Sequence, residues 1–181
     1  MRALAALFLV SVPSLLALPT LAEAQRASIE LAFDHGISQL REPGEDVDWT
    51  GAHAALDLRV HSPLGVGGTL RAGTTFGALL TLELDTGPTY RSWLFRAGPR
   101  GLALTSSIGG SLFWNTGEPD ARIRTSLAGG LYVDASLDYH EHGFLVGIGY
   151  HGRWLPVSEG SDQLDTFSFS ATARVGGEIE P

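Results

Sequence analysis

Residues 122–139 alternate between two kinds of side chain with few interruptions. The odd positions are Ile123, Thr125, Leu127, Gly129, Leu131, Val133, Ala135, Leu137 and Tyr139. The even positions are Arg122, Arg124, Ser126, Ala128, Gly130, Tyr132, Asp134, Ser136 and Asp138. A period of two puts each set on its own face of a β-strand. Strands of globular proteins run about 3–10 residues, so this one is long. A long strand with one apolar face points to a closed barrel in a lipid bilayer, because closure leaves no backbone group without a partner in hydrocarbon.

The same alternation recurs along the chain and predicts eight strands. They fall at residues 26–35, 48–61, 66–84, 89–97, 101–115, 122–139, 143–155 and 166–175. The fourth is the hardest to phase, because Trp93-Leu94-Phe95 is apolar on both faces. Connections of two kinds alternate between them. Ser62-Pro63-Leu64-Gly65, Gly98-Pro99-Arg100 and Glu141-His142-Gly143 are short and contain Gly or Pro, as tight turns require. The stretches 35–47, 85–88, 116–120 and 156–163 lie between them, and all are acidic. An even-stranded up-and-down barrel has this arrangement, with short turns and both termini on one side and longer loops opposite. The expected fold is an all-β, eight-stranded antiparallel up-and-down transmembrane barrel.

The first residues carry a separate message. Arg2 precedes an apolar stretch from Ala3 to Leu18, followed by Pro19-Thr20-Leu21-Ala22-Glu23-Ala24. This is a positive start, an apolar centre and an A-x-A cleavage site, so residues 1–24 are read as a secretory signal peptide and residues 25–181 as the barrel domain. The apolar stretch is shorter than the ~20 residues of a spanning helix, and Pro13 interrupts it. There is no cysteine, hence no disulfide framework and no thiolate metal site. A formal net charge of −8 argues against nucleic acid as a partner.

Alternation by itself does not say which face is outside. The polar face holds Gly147, Gly149, His151 and Arg153 in the seventh strand, and Gly67, Thr69, Gly73, Thr75 and Gly77 in the third. A surface in water would carry more long charged side chains. Small residues with scattered charges fit the narrow interior of an eight-stranded barrel. The expected lumen therefore contains Glu30, Asp34, Asp57, Arg59, Arg71, Glu83, Arg122, Arg124, Asp134, Asp138, Arg153 and Arg174. Mixed signs in a dry space predict a paired plug rather than a conduction path. Aromatic residues at the loop ends of strands predict a girdle at one interface: Phe33, Trp49, Tyr90, Phe113, Trp114, Trp154, Phe167 and Phe169.

On these strands, turns and the final segment 166–175, the chain resembles the small OmpA/OmpX-type outer-membrane barrels of Gram-negative bacteria. The resemblance covers essentially all of residues 25–181. It implies a bacterial outer-membrane location after export, with membrane lipid and lipopolysaccharide as surroundings. Such barrels often end on an aromatic residue that assists assembly. This chain departs from that pattern by continuing from Gly176 through Pro181.

The loop acids Glu42, Glu45, Asp46, Asp48, Asp85, Glu118, Asp120, Glu159, Asp162 and Asp165 face Arg41 alone among the longer loops. They suggest Ca²⁺ or Mg²⁺ bridging to lipopolysaccharide phosphates, or a repulsive soluble rim; no EF-hand spacing is present. His140-Glu141-His142 places two imidazoles at i and i+2, without an evident third ligand. Some barrels of this kind acylate or deacylate lipid A, which requires a Ser, a His and an orienting acid. His151, Ser158 and Glu159, or His61-Ser62, are the candidates, but the His-x-Ser-Asn stretch of the lipid A deacylases does not occur. The sequence thus predicts no catalytic residues, no metal and no cofactor. It predicts a non-enzymatic barrel with a structural role or a surface interaction, with an extracellular ligand or protein engaged through the loops. A small-solute channel and a lipid A-modifying enzyme are the alternatives.

Overall fold

A computed structural model describes residues 27–41, 49–76, 80–115, 127–158 and 166–179. Eight strands account for nearly all of them. They are β1 (Ser28–Arg41), β2 (Trp49–His61), β3 (Val66–Phe76), β4 (Leu80–Ala97), β5 (Arg100–Asn115), β6 (Leu127–Glu141), β7 (Phe144–Ser158) and β8 (Thr166–Ile179). Each pairs antiparallel with its neighbour in sequence, and β1 pairs with β8, so the sheet closes into an up-and-down barrel. Closure removes the two free edges an open sheet would have.

The turns at 62–65, 98–99 and 142–143 define one end of the barrel, called here the turn end. The start of β1 and the end of β8 lie there too, since Ile29 pairs with Ile179. The last turn shows how sequence fixes register. His142 and Gly143 both have positive φ, 51° and 82°. That is the mirror-image geometry whose twist matches a two-residue hairpin, and glycine adopts it without a Cβ clash. The other end, the loop end, carries the connections 42–48, 77–79, 116–126 and 159–165.

Several strand boundaries differ from expectation. The predicted connection at 85–88 lies inside β4; the segment joining β3 to β4 is 77–79. Asp-Thr-Gly-Pro reads as a turn, yet it occupies a strand because the barrel needs a close backbone approach there. A Cβ on Gly87 would lie 2.1 Å from the Ile108 carbonyl oxygen, and one on Gly109 would lie 2.1 Å from that of Thr86. Pro88 has no N–H to donate, and pairing of β4 with β5 skips Gly87 and Pro88 before resuming in the same register. β1 also runs on to Arg41 rather than stopping at His35, and β8 runs on to Ile179 rather than Val175. The ambiguous phase of Trp93-Leu94-Phe95 resolves as a bulge: Trp93 pairs with Ala103 and Phe95 with Leu102. The alternating run 122–139 is described from Leu127 onward, and residues 1–26 lie outside the described residues.

The barrel is polar inside and apolar outside. Leu31, Ile37, Leu56, Ile108, Val133, Ile148 and Val175 are exposed on the outer wall, Ile148 at 65%. The alternate positions are buried and mostly polar, with Glu30, Asp34, Arg59 and Asp85 at 0%. A water-soluble barrel has the reverse arrangement.

Candidate functional site

The lumen is the site this sequence builds. Within each strand the period of two sends every second side chain inward, and the closed sheet converges eight such rows on one axis. Ten of the expected lumen charges lie there, all buried: Glu30, Asp34, Asp57, Arg59, Arg71, Glu83, Asp134, Asp138, Arg153 and Arg174. Arg122 and Arg124 lie outside the described residues.

The described arginines of the lumen bridge the barrel rather than lining it. Arg59 on β2 donates from Nη2 to Asp134 Oδ1 on β6 at 2.6 Å, and from Nη1 to Ser136 Oγ at 2.9 Å. β2 and β6 stand on opposite sides of the ring. The same guanidinium meets Asp57 at 2.7 Å and lies 3.6–3.7 Å from Glu30 and Asp138. Arg174 on β8 lies within 3.1–3.4 Å of Glu30, Asp34, Asp57 and Asp138. Arg71 on β3 pairs with Asp34 at 2.9 Å and Asp134 at 3.2 Å. Towards the loop end, Arg153 on β7 forks onto Asp85 on β4 through Nε at 3.1 Å and Nη2 at 2.6 Å, and Nη2 also meets Glu83 at 2.6 Å. Planar guanidinium groups match carboxylates in this two-pronged way, which a lysine ammonium does not. Among the described residues the guanidinium groups are the lumen's permanent cations, consistent with a sequence that has no lysine.

Sequence reasoning missed three members of this network. Asp85, expected in a loop, is buried beneath Arg153, and His151 Nε2 lies 3.2 Å from it. Arg91 pairs with Glu178, and its Nη2 donates to Ser28 Oγ at 2.7 Å. Glu178 was placed past the end of the last strand. The signal was available: Arg91 continues the odd-numbered inward row of Thr81, Glu83, Asp85 and Thr89, and Glu178 the even-numbered row of Ser170, Thr172 and Arg174. With these included, the described residues place eight carboxylates (Glu30, Asp34, Asp57, Glu83, Asp85, Asp134, Asp138, Glu178) and five guanidiniums (Arg59, Arg71, Arg91, Arg153, Arg174) in the lumen. Four buried histidines sit among them: His53, His61, His140 and His151. His53 Nε2 is 3.0 Å from Arg71 Nη2, and His151 Nδ1 is 3.5 Å from Asp134.

Above the ionic layers the lumen becomes apolar. Tyr132 stacks on His151 at 5.4 Å, and Phe113, Ala128 and Leu155 form a buried cluster near the loop end. Phe113 thus faces inward and is not part of an outer girdle; Asn115, two positions on, ends its strand. The other expected girdle residues divide. Trp114, Trp154 and Phe167 are exposed near the loop ends of β5, β7 and β8, and Phe169 lies two residues further along β8. Trp49 is the first residue of β2, paired with Leu40. Phe33 is exposed but sits mid-strand, because β1 extends eight residues beyond it to Arg41. Tyr90 is exposed nearer the turn end, paired with Val66, the first residue of β3. Its placement failed because the sequence suggested a strand beginning at Thr89, where β4 is already ten residues long.

The remaining candidates are resolved by facing. His140 turns into the lumen with Nδ1 3.0 Å from Glu178, whereas His142 stands on the exposed turn. Among the described residues no three His or carboxylate side chains converge as a metal site. His151 and His61 are both buried in the lumen. Glu159 and the loop acids other than Asp85 lie outside the described residues.

No family model and no curated protein matches the sequence. Solved structures do match the fold. The N-terminal β-barrel domain of Pseudomonas aeruginosa OprF superposes with a TM-score of 0.58 at 14% identity, over 84% of this chain and 97% of that one. Ail, the attachment invasion locus protein of Yersinia pestis, in complex with the heparin analogue sucrose octasulfate, gives 0.53 at 13% identity, over 85% and 99%. The outer membrane enzyme PagL gives 0.51 at 15% identity, over 84% and 99%. The fold is that of the small eight-stranded outer-membrane barrels, and at these identities the likeness concerns the fold alone.

Proposed function

We propose that this chain is an integral protein of the bacterial outer membrane, with a lumen sealed by ion pairs and a structural or surface-interaction role carried by its acidic loops. One observation carries the reading: guanidiniums span the lumen from wall to wall while the outer wall is apolar. Arg59 joins β2 to β6, and Arg91 joins β4 to β8, each pair diametrically opposed. A conducting pore of this diameter would need those bridges to part. Each parting would pull opposite buried charges away from one another, which is costly in a dry lumen. The outer wall supports membrane residence by the complementary argument, because apolar area of this extent is stable against acyl chains and unstable against water. Membrane lipid and lipopolysaccharide are therefore the surroundings we assign.

The loop acids Glu42, Glu45, Asp46, Asp48, Glu118, Asp120, Glu159, Asp162 and Asp165 give the opposite end its character. They favour a cationic partner, or lipopolysaccharide phosphates bridged by divalent cations. An enzyme acting on lipid A would present its base to the acyl chains, whereas His151 and His61 point into the lumen.

Planar-bilayer recording on the refolded barrel tests the central reading. The expected result is no steady single-channel current; stable sizeable openings would overturn the sealed lumen. Mass spectrometry of lipid A from cells with and without the protein is expected to show the same acyl pattern, and a changed pattern would replace the structural role with an enzymatic one.

A further inference from the structure

One ionisable side chain breaks the rule of the outer wall. His35 lies in the outward row of β1, between Phe33 and Ile37, and is exposed. Among the described residues the other histidines, carboxylates and guanidiniums face the lumen or stand near the ends of the barrel. His35 has no hydrogen bond or ion pair among the described residues.

Its depth makes that costly. His35 is seven residues from Ser28 and six from Arg41, the two ends of β1. Either path is about 20 Å of strand, further than an imidazole extends towards water. The outward row is apolar on both sides, through Phe33, Leu31 and Ile29 towards the turn end and Ile37 towards the loop end. The ring therefore lies within the hydrocarbon band, where an unmet polar group is expensive. Acyl chains offer it nothing to bond.

The surroundings suit close contact with another wall. His35 pairs laterally with Ala54 on β2 and Ala173 on β8, and Ile37 pairs with Ala52 and Ala171. Alanines thus flank both residues on either side. Larger side chains border this patch. Phe33 stands with Leu56 and Val175 on the turn-end side, and Ile148 and Tyr150 on β7 pair with Ala173 and Ala171. Small side chains let two membrane-embedded surfaces approach closely.

We propose that the outer face of β2, β1 and β8 around His35 is the contact surface of a homodimer within the membrane. The inference rests on the membrane residence proposed above. Copies inserted by one route share an orientation, so a two-fold axis relating them runs along the membrane normal. A residue on that axis meets its own copy at its own depth. The group that satisfies His35 must stand at that depth, and a second copy supplies one, its own His35. An imidazole with a single N–H carries one donor and one acceptor, so two of them close an N–H···N bond without a third group. The same rotation sets β2 of one copy against β8 of the other, alanine facing alanine.

The test uses the full barrel, inserted in phospholipid vesicles and checked by its unheated gel mobility. Insertion is measured first. A barrel that stays in the aqueous phase refutes membrane residence, whereas one that inserts and stays monomeric refutes this inference alone. Donor- and acceptor-labelled copies are mixed at falling protein-to-lipid ratios, and energy transfer above that of random neighbours is expected. His35→Leu is expected to weaken the dimer at least about threefold, the scale of one polar pair in a membrane. Ala173→Leu is expected to weaken it about tenfold by holding the walls apart. Both side chains are exposed, so neither change threatens the fold. The chain has no cysteine, which makes oxidation a clean second measurement. His35→Cys is expected to give a disulfide-linked dimer, and Ile108→Cys, on β5 across the ring from β1, is not. Energy transfer at the random level would overturn the proposal. So would a dimer indifferent to both leucine variants, or equal cross-linking from the two cysteine positions.

Discussion

The inner and outer walls of this barrel come from the same strands, residue by residue, yet obey opposite rules. On β6, Asp134, Ser136 and Asp138 are buried in ionic and hydrogen-bonded contact, while Val133, Ala135 and Leu137 beside them are exposed. In a soluble protein the buried row would be the apolar one. The difference teaches that burial does not define a core by chemistry; the surrounding medium does. Where the outside is hydrocarbon, the polar groups are collected inside and must satisfy one another. The apolar row then gains little from meeting its own kind, because acyl chains are as apolar as leucine. Stability of the inner wall is therefore concentrated in a few arginines, whereas that of the outer wall is spread over many side chains.

That contrast can be tested most severely at its centre. Arg59→Met keeps much of the volume but removes the cation shared by Asp57, Asp134 and Glu30, leaving chiefly Arg174 and Arg71 to offset five buried carboxylates. The expected loss is about 3–5 kcal/mol, seen as earlier unfolding in urea in lipid vesicles; a loss below about 1 kcal/mol would mean that the bridge is solvated. A charge placed on the other wall ranks next. Ile148→Arg puts a guanidinium where the side chain is 65% exposed, and about 2–4 kcal/mol of destabilisation is expected if that point lies near the bilayer midplane. The same variant in a detergent micelle, where water is closer, should be affected less. The smallest effect is expected at the rim. Arg100→Gln breaks an ion pair whose side chains are 59% and 37% exposed, against 0% and 3% for Arg59 and Asp134. Less than about 1 kcal/mol should be lost in the same assay. A rim effect as large as that of Arg59 would erase the distinction between the two environments.

Much of this molecule was legible from residue order. The alternation in residues 52–60, 127–139 and 167–175 gave the correct faces for those strands, because a single phase error would have sent every leucine into the lumen. Most of the ionic network followed from the same phase. The failures share a cause as well. Asp85 and Tyr90 differ from expectation because Gly87-Pro88 has the chemistry of a turn, which here yields to a strand held on both sides by its neighbours. Phe33 was misplaced because β1 continues through His35 and Gly36, which no local preference for strand would favour.

The order of residues alone settled that this chain forms long two-faced strands, how many there are, and which side chains share a face, since those properties depend only on a period of two. Which carboxylate meets which guanidinium was decided by closure. Arg59 finds Asp134 across the ring, 75 residues away, because register and shear bring opposite walls to one height. The alanine patch around His35 likewise exists only where β1, β2 and β8 lie side by side, a distance relation that no stretch of sequence contains.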